Sequence, residues 1–245
     1  MDQSTGDAAE ALHDEVETGI GALHLSLPRR ALAEGVGTGL LIVAVIGSGI
    51  MATQLSPDDV GLQLLENAFA TAGALVALIL MFGAVSGAHF NPIVTLVDKF
   101  TGTVKWKDAG VYIVAQTIGA CVGAVIANLM FELPAIEFST KDRSSPAFWL
   151  SEVVATVTLL LVIHGCVRTG KANVVPFAVA AWIGGAYWFT SSTSFANPAV
   201  TIARSLSDSF AGIAPSSVPM FIAAQLVGLV IAVALIRFFF MSEKK

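Results

Sequence analysis

The chain has 245 residues, of which 55% are hydrophobic and only 13% charged, with a mean hydropathy of +0.77. Soluble domains carry about 25% charged residues, so this composition excludes an ordinary water-facing surface and places the chain in a lipid bilayer. The net charge of −5 comes partly from the N-terminal tail. It offers no basic patch, and no nucleic-acid partner is expected.

Residues 1–28 read as an acidic, solvated and disordered tail. Met1 to Leu27 hold Asp2, Asp7, Glu10, Asp14, Glu15 and Glu17 and no Lys or Arg. No basic n-region or apolar h-region is present, so this stretch does not read as a signal peptide. His13 and His24 read as surface histidines. Residues 29–245 form the membrane domain. Arg29 and Arg30 precede a first span over about Ala31 to Thr53, whose Gly35-Val36-Gly37-Thr38-Gly39 run allows close helix approach in lipid. Ser56-Pro57-Asp58-Asp59 is a polar loop, and a second span runs from about Glu66 to Val85.

A short apolar segment from Asn91 to Phe100 follows, then a connection carrying Lys99, Lys105 and Lys107. Span three is about Ala109 to Phe131. A loop with Pro134, Lys141, Asp142 and Arg143 leads to span four, about Ala147 to Val167. Span five is about Val174 to Phe189, and a second short segment covers Asn197 to Ser205. Span six is about Val218 to Phe240. Cys121 and Cys166 lie in apolar stretches and read as buried free thiols.

The two short segments share a motif. Asn91-Pro92-Ile93-Val94-Thr95-Leu96 and Asn197-Pro198-Ala199-Val200-Thr201-Ile202 both give Asn-Pro-x-Val-Thr followed by Leu or Ile. Asn is a preferred N-cap, and Pro suits the first helical position, where its missing N–H has no partner to lose. Each copy is therefore a helix start. The helices that follow are roughly 15 Å long, half of a ~30 Å bilayer core. Paired half-helices in two halves of a membrane protein point to a binding site or pore at the midplane.

Other positions repeat as well. Glu34 and Glu152 each stand near the start of a span, and Tyr112 to Gln116 answers Phe221 to Gln225. The repeats cover about 29–131 and 147–240. Counting charge, ten of the thirteen Lys and Arg fall on one side of the membrane. The positive-inside rule makes that side, with both termini, cytoplasmic. The expected fold is an all-α membrane protein with six transmembrane helices, two re-entrant half-helices and inverted repeats.

Ser86-Gly87-Ala88-His89-Phe90-Asn91-Pro92 and Asn197-Pro198-Ala199 resemble the paired signatures of the aquaporin (major intrinsic protein) family. The resemblance runs from about Arg29 to Phe240 and suggests an aquaglyceroporin-like member. It implies a cell-membrane channel for small uncharged solutes such as water, glycerol, urea or neutral metalloid acids like arsenite, with no cofactor or metal. It implies a homotetramer with one pore per subunit.

The resemblance also assigns residues. Asn91 and Asn197 become donors at the pore centre, with Pro92, Ile93, Pro198 and Ala199 starting the half-helices. Carbonyls of Gly87, Ala88, His89, Ser192 and Thr193 line the path. Glu34, Glu152, Gln116 and Gln225 brace the loops. Carried over by spacing, the outer filter falls on Thr71, Gly185, Ser194 and Val200. Val stands at 200 where the family usually has Arg, which predicts a wide, uncharged filter. Arg204, one turn on, is placed either in the outer vestibule or at the headgroups. The alternative is a secondary transporter, since broken helices in inverted repeats also build those. It needs ionisable groups between the half-helices, where only Asn91 and Asn197 are expected. An enzyme is not expected: His89 with Asp98 is the nearest candidate pair.

Overall fold

A computed structural model describes residues 25–240. Most of the expected acidic tail, with His13 and His24, lies outside the described residues. Eight α-helices and no strands are found among the described residues: α1 (Leu27–Leu55), α2 (Val60–Ser86), α3 (Pro92–Thr101), α4 (Trp106–Met130), α5 (Pro146–Arg168), α6 (Val175–Phe189), α7 (Pro198–Arg204) and α8 (Val218–Phe240). Six are long and apolar enough to cross a membrane, α6 together with the helical turn Ala172–Val174 that leads into it. The helices α3 and α7, with 10 and 7 residues, are not. The first two spans begin several residues earlier than hydropathy suggests. Pro28 near the start of α1 and the Asp59 carboxylate, which caps α2 by accepting from Leu62 N–H at 2.9 Å, set those starts.

The packing has a pseudo-two-fold pattern. Helix α1 lies against α4 as α5 lies against α8, and α2 meets α6 between the halves. Glycines permit the first of these contacts. A β-carbon at Gly119 would stand 2.0 Å from the Gly35 carbonyl oxygen, and one at Gly123 would stand 2.2 Å from that of Gly39. Backbone therefore rests on backbone. A β-carbon at Gly37 would strike the Phe90 ring at 2.0 Å. The glycine run thus serves two contacts, one to α4 and one to the loop before α3.

Candidate functional site

Each Asn-Pro pair starts its helix as the residues dictate. Asn91 Oδ1 accepts from Ile93 N–H at 2.9 Å, and Asn197 Oδ1 accepts from Ala199 and Val200 N–H at 3.0 and 3.2 Å. The prolines sit at the first helical position. The amide nitrogens then reach across the repeat axis. Asn91 Nδ2 donates to the Ala196 carbonyl and Asn197 Nδ2 to the Phe90 carbonyl, both at 2.8 Å. One N–H of each amide remains for another acceptor, and both asparagines line a cavity of about 630 Å³.

The loops before the half-helices are strained in the same places. Ala88 and Phe90 have φ of 49° and 49°, and their counterparts Ser194 and Ala196 have 54° and 48°. Left-handed backbone at such residues costs roughly 1–2 kcal/mol each. A buried carboxylate holds each loop. Glu34 accepts from Ser86 Oγ at 2.6 Å, His89 N–H at 3.0 Å, Phe90 N–H at 2.7 Å and Gln116 Nε2 at 2.8 Å. Glu152 accepts from Ser192 Oγ at 2.7 Å, Phe195 N–H at 2.9 Å, Ala196 N–H at 2.8 Å and Gln225 Nε2 at 2.7 Å. Both N–H groups just before each asparagine are thus tied to the acid. Gly87, Ala88 and His89 line the cavity.

Three expected positions are corrected. Gly185 is exposed and borders a groove on the outer side of α2 and α6, away from the central cavity. Tyr187 and Ile183 face the cavity from α6 instead. Gly185 lies two residues from each of these, and two residues turn a helix through about 200°. Ser192 does not line the cavity either: its carbonyl accepts from Arg143 Nη1 at 3.1 Å. Thr193 is likewise outside the lining, which Ser194 and Phe195 supply on that side. Thr71, Ser194 and Val200 do line the cavity, and Thr71 Oγ1 lies 3.2 Å from the Tyr187 hydroxyl. Arg204, only 2% exposed, lines it too and does not reach for the headgroups. The two cysteines are half-buried and free, less enclosed than expected.

At the other end, the geometry joins residues that spacing kept apart. His89 Nε2 and His164 Nε2 approach the two oxygens of Asp98 at 3.0 and 3.2 Å, and all three residues line the cavity. His89 Nδ1 lies 3.0 Å from Thr95 Oγ1, and His164 Nδ1 lies 3.0 Å from the Leu160 carbonyl. His89 and Asp98, nine positions apart, meet because a half-helix folds directly back beside its own approach loop, and His164 of α5 is the partner that spacing does not give. The opposite wall is apolar, formed by Leu41, Leu75, Leu159 and Ile183 among others.

Six spans and two half-helices that meet at their starts, around one cavity with a polar strip and an apolar wall, define a membrane channel built on an inverted repeat. The family model described as MIP, major intrinsic protein, matches residues 22–193. The chain is 49% identical over 211 residues to the aquaglyceroporin AqpS of Rhizobium meliloti (strain 1021), an alignment covering 86% of this chain and 90% of that protein. It is 34% identical over 150 residues to the glycerol uptake facilitator protein of Bacillus subtilis (strain 168), covering 52% of this chain and 51% of the other. The X-ray structure of the aquaglyceroporin from Plasmodium falciparum shares the fold, with a TM-score of 0.67 and 22% identity over 86% of this chain and 96% of that one. The chain belongs to the major intrinsic protein family, and its function is that of a channel.

Proposed function

We propose that this channel conducts small uncharged, oxygen-bearing solutes passively, with glycerol and water foremost and urea and neutral metalloid acids within its range. The observation that carries the reading is the pair Asn91 and Asn197, each lining the cavity with one amide N–H left over. Two half-helix starts meet there, and each brings about half a positive elementary charge. A solute oxygen gains two donors at this point. A cation would shed hydration worth tens of kcal/mol on a Born estimate against a positive field. The loop carbonyls supply acceptors, and the apolar wall suits the carbon face of a polyol. The aquaglyceroporin and glycerol-facilitator relatives support the choice of solute.

Stopped-flow swelling of reconstituted vesicles tests this. Rapid entry of water, glycerol and urea is expected, linear in the gradient and indifferent to protonophores. A glycerol flux abolished by protonophores would favour a coupled transporter. That alternative needs a titratable group between the two asparagines; of the titratable groups that line the cavity, His89, Asp98 and His164 cluster together and Tyr187 and Arg204 stand with the filter residues.

The reading includes no catalysis. Asp98, His89 and Thr95 stand in hydrogen-bonded order, but Thr95 is fully buried, does not line the cavity and accepts from Gln116 Nε2 at 3.0 Å. Such a hydroxyl cannot meet a solute. The charge asymmetry supports a cytoplasmic location for both termini. Membership of the major intrinsic protein family supports assembly into a homotetramer within the bilayer.

A further inference from the structure

We propose that Arg204, rather than the side chain at position 200, is the fixed charge and principal donor of the outer filter, acting with Ser194 on hydroxyl-bearing solutes. The inference rests on the channel reading above and names the residues that set its selectivity. Val200 lines the cavity but brings neither charge nor hydrogen-bonding group. Arg204 lies one helical turn further along the same face of α7 and is buried against the same cavity.

Its position is built. Nε donates to the Ala211 carbonyl. The guanidinium carbon lies 3.5 Å from the centre of the Phe195 ring, while Arg143 approaches that ring at 5.0 Å. The ring fixes the plane of the fork, and the Ala211 contact uses one of its five N–H groups. Among the described residues no carboxylate lies within ion-pair distance of Arg204. The buried acid on this side, Glu152, already accepts four hydrogen bonds.

A second observation points to a ligand. Ser194 is 3% exposed and lines the cavity, yet its buried Oγ has no hydrogen-bond partner. A buried hydroxyl without a partner is uncommon in proteins, and here a passing solute supplies one. The Thr71 and Tyr187 hydroxyls add donor and acceptor capacity at the same cavity. A neutral polyol or oxyacid can thus accept from the guanidinium and exchange hydrogen bonds with the hydroxyls. A cation meets a positive charge before it reaches the asparagines.

The experiment compares wild type, Arg204→Gln, Arg204→Lys and the double variant Val200→Arg/Arg204→Gln in vesicles, measuring water, glycerol and potassium permeability. Water flux within twofold of wild type reports an intact pore. In Arg204→Gln, potassium permeability is expected to rise at least tenfold and glycerol flux to change at least threefold. In the double variant, a guanidinium one turn earlier restores potassium exclusion, which an arginine that merely anchors the loop through Ala211 would not do. An Arg204→Gln channel with normal water flux and wild-type exclusion and glycerol flux overturns the proposal. If Arg204→Gln conducts no water, Arg204→Lys decides. Retained exclusion with glycerol flux altered at least threefold supports the role, and unchanged glycerol flux refutes it. A wild-type protein that passes neither water nor glycerol would instead remove the channel reading itself.

Discussion

Glu152→Gln is the sharpest test of how the re-entrant loops are held. The carboxylate accepts four hydrogen bonds, two on each oxygen, and is fully buried. The substitution keeps the shape but turns one oxygen into a donor, so two of the four partners then face an N–H. Placed toward Ala196 and Gln225, the new amide recovers one contact, because Gln225 Oε1 has no partner and can accept after an amide flip. The Ala196 N–H stays unsatisfied, at about 1–3 kcal/mol, and the surviving bonds lose their charge assistance. Relief from burying a charge offsets part of this.

The expected net loss is about 2–3 kcal/mol, measured by unfolding in mixed micelles of increasing denaturing detergent. Water flux should fall as well, since Ala196 sits at φ 48° and its carbonyl receives Asn91 Nδ2. Glu34→Gln should lose the same amount within about 1 kcal/mol, because Glu34 holds the corresponding four partners. Ser192→Ala, which removes one donor, should cost about 1 kcal/mol. A Glu152→Gln protein within 1 kcal/mol of wild type and with normal flux would refute the claim that the acid holds the loop.

Four further outcomes are expected. Asn197→Asp places a carboxylate between the half-helix starts and should admit potassium, read as vesicle depolarisation; an intact variant that still excludes it would count against the dipole argument. Val200→Arg should lower glycerol and urea flux relative to water by constriction, and an unchanged ratio would show that position 200 does not bound the filter. Asp98→Asn replaces the carboxylate that both imidazoles approach by an amide that keeps only one acceptor oxygen, so glycerol flux should fall by more than about half; unchanged flux would mean that the pair does not shape that end of the cavity. Partial desolvation against the Phe210 ring, followed by the charges of Arg143 and Arg204, lowers the pKa of Lys141, an exposed residue of the outer loop, to about 8. Between there and the unfolded value of about 10.4 the unfolded chain binds more protons, so stability should rise with pH across that window and stay flat below it. Lys141→Gln should abolish the rise in a thermal-shift series.

Where the sequence repeats itself, the structure was legible. Asn-Pro-x-Val-Thr carries its own N-cap and helix start, and both copies fold as their residues dictate. Glu34 and Glu152 were legible as a matched pair of acids in apolar spans, where an acid persists only with several donors around it. Span ends were less legible, because hydropathy marks where lipid begins while caps such as Asp59 mark where the helix begins. The His89–Asp98 pair was legible as a candidate, whereas the approach of His164 to the same carboxylate was not, since it depends on the half-helix packing against α5.

The filter shows why spacing is a weak guide where chemistry is a better one. Gly185 is carried over by spacing from the resemblance, and a helix face tolerates no slip in spacing: two residues exchange the inner face for the outer. The sequence did hold a local signal. The chain has two tyrosines, and a tyrosine inside an apolar span needs a partner for its hydroxyl. Tyr112 finds the Ser86 carbonyl at 2.9 Å, at the end of the first re-entrant loop. Tyr187 finds Thr71 across the cavity. Arg204 obeys the same logic. A guanidinium ending a half-helix inside the membrane must either escape to water or be held by a carbonyl, a ring and an aqueous path. The seven residues of α7 are too few to carry it to the surface. Its burial at the cavity follows from the shortness of the helix that bears it, and that shortness was already visible in the sequence.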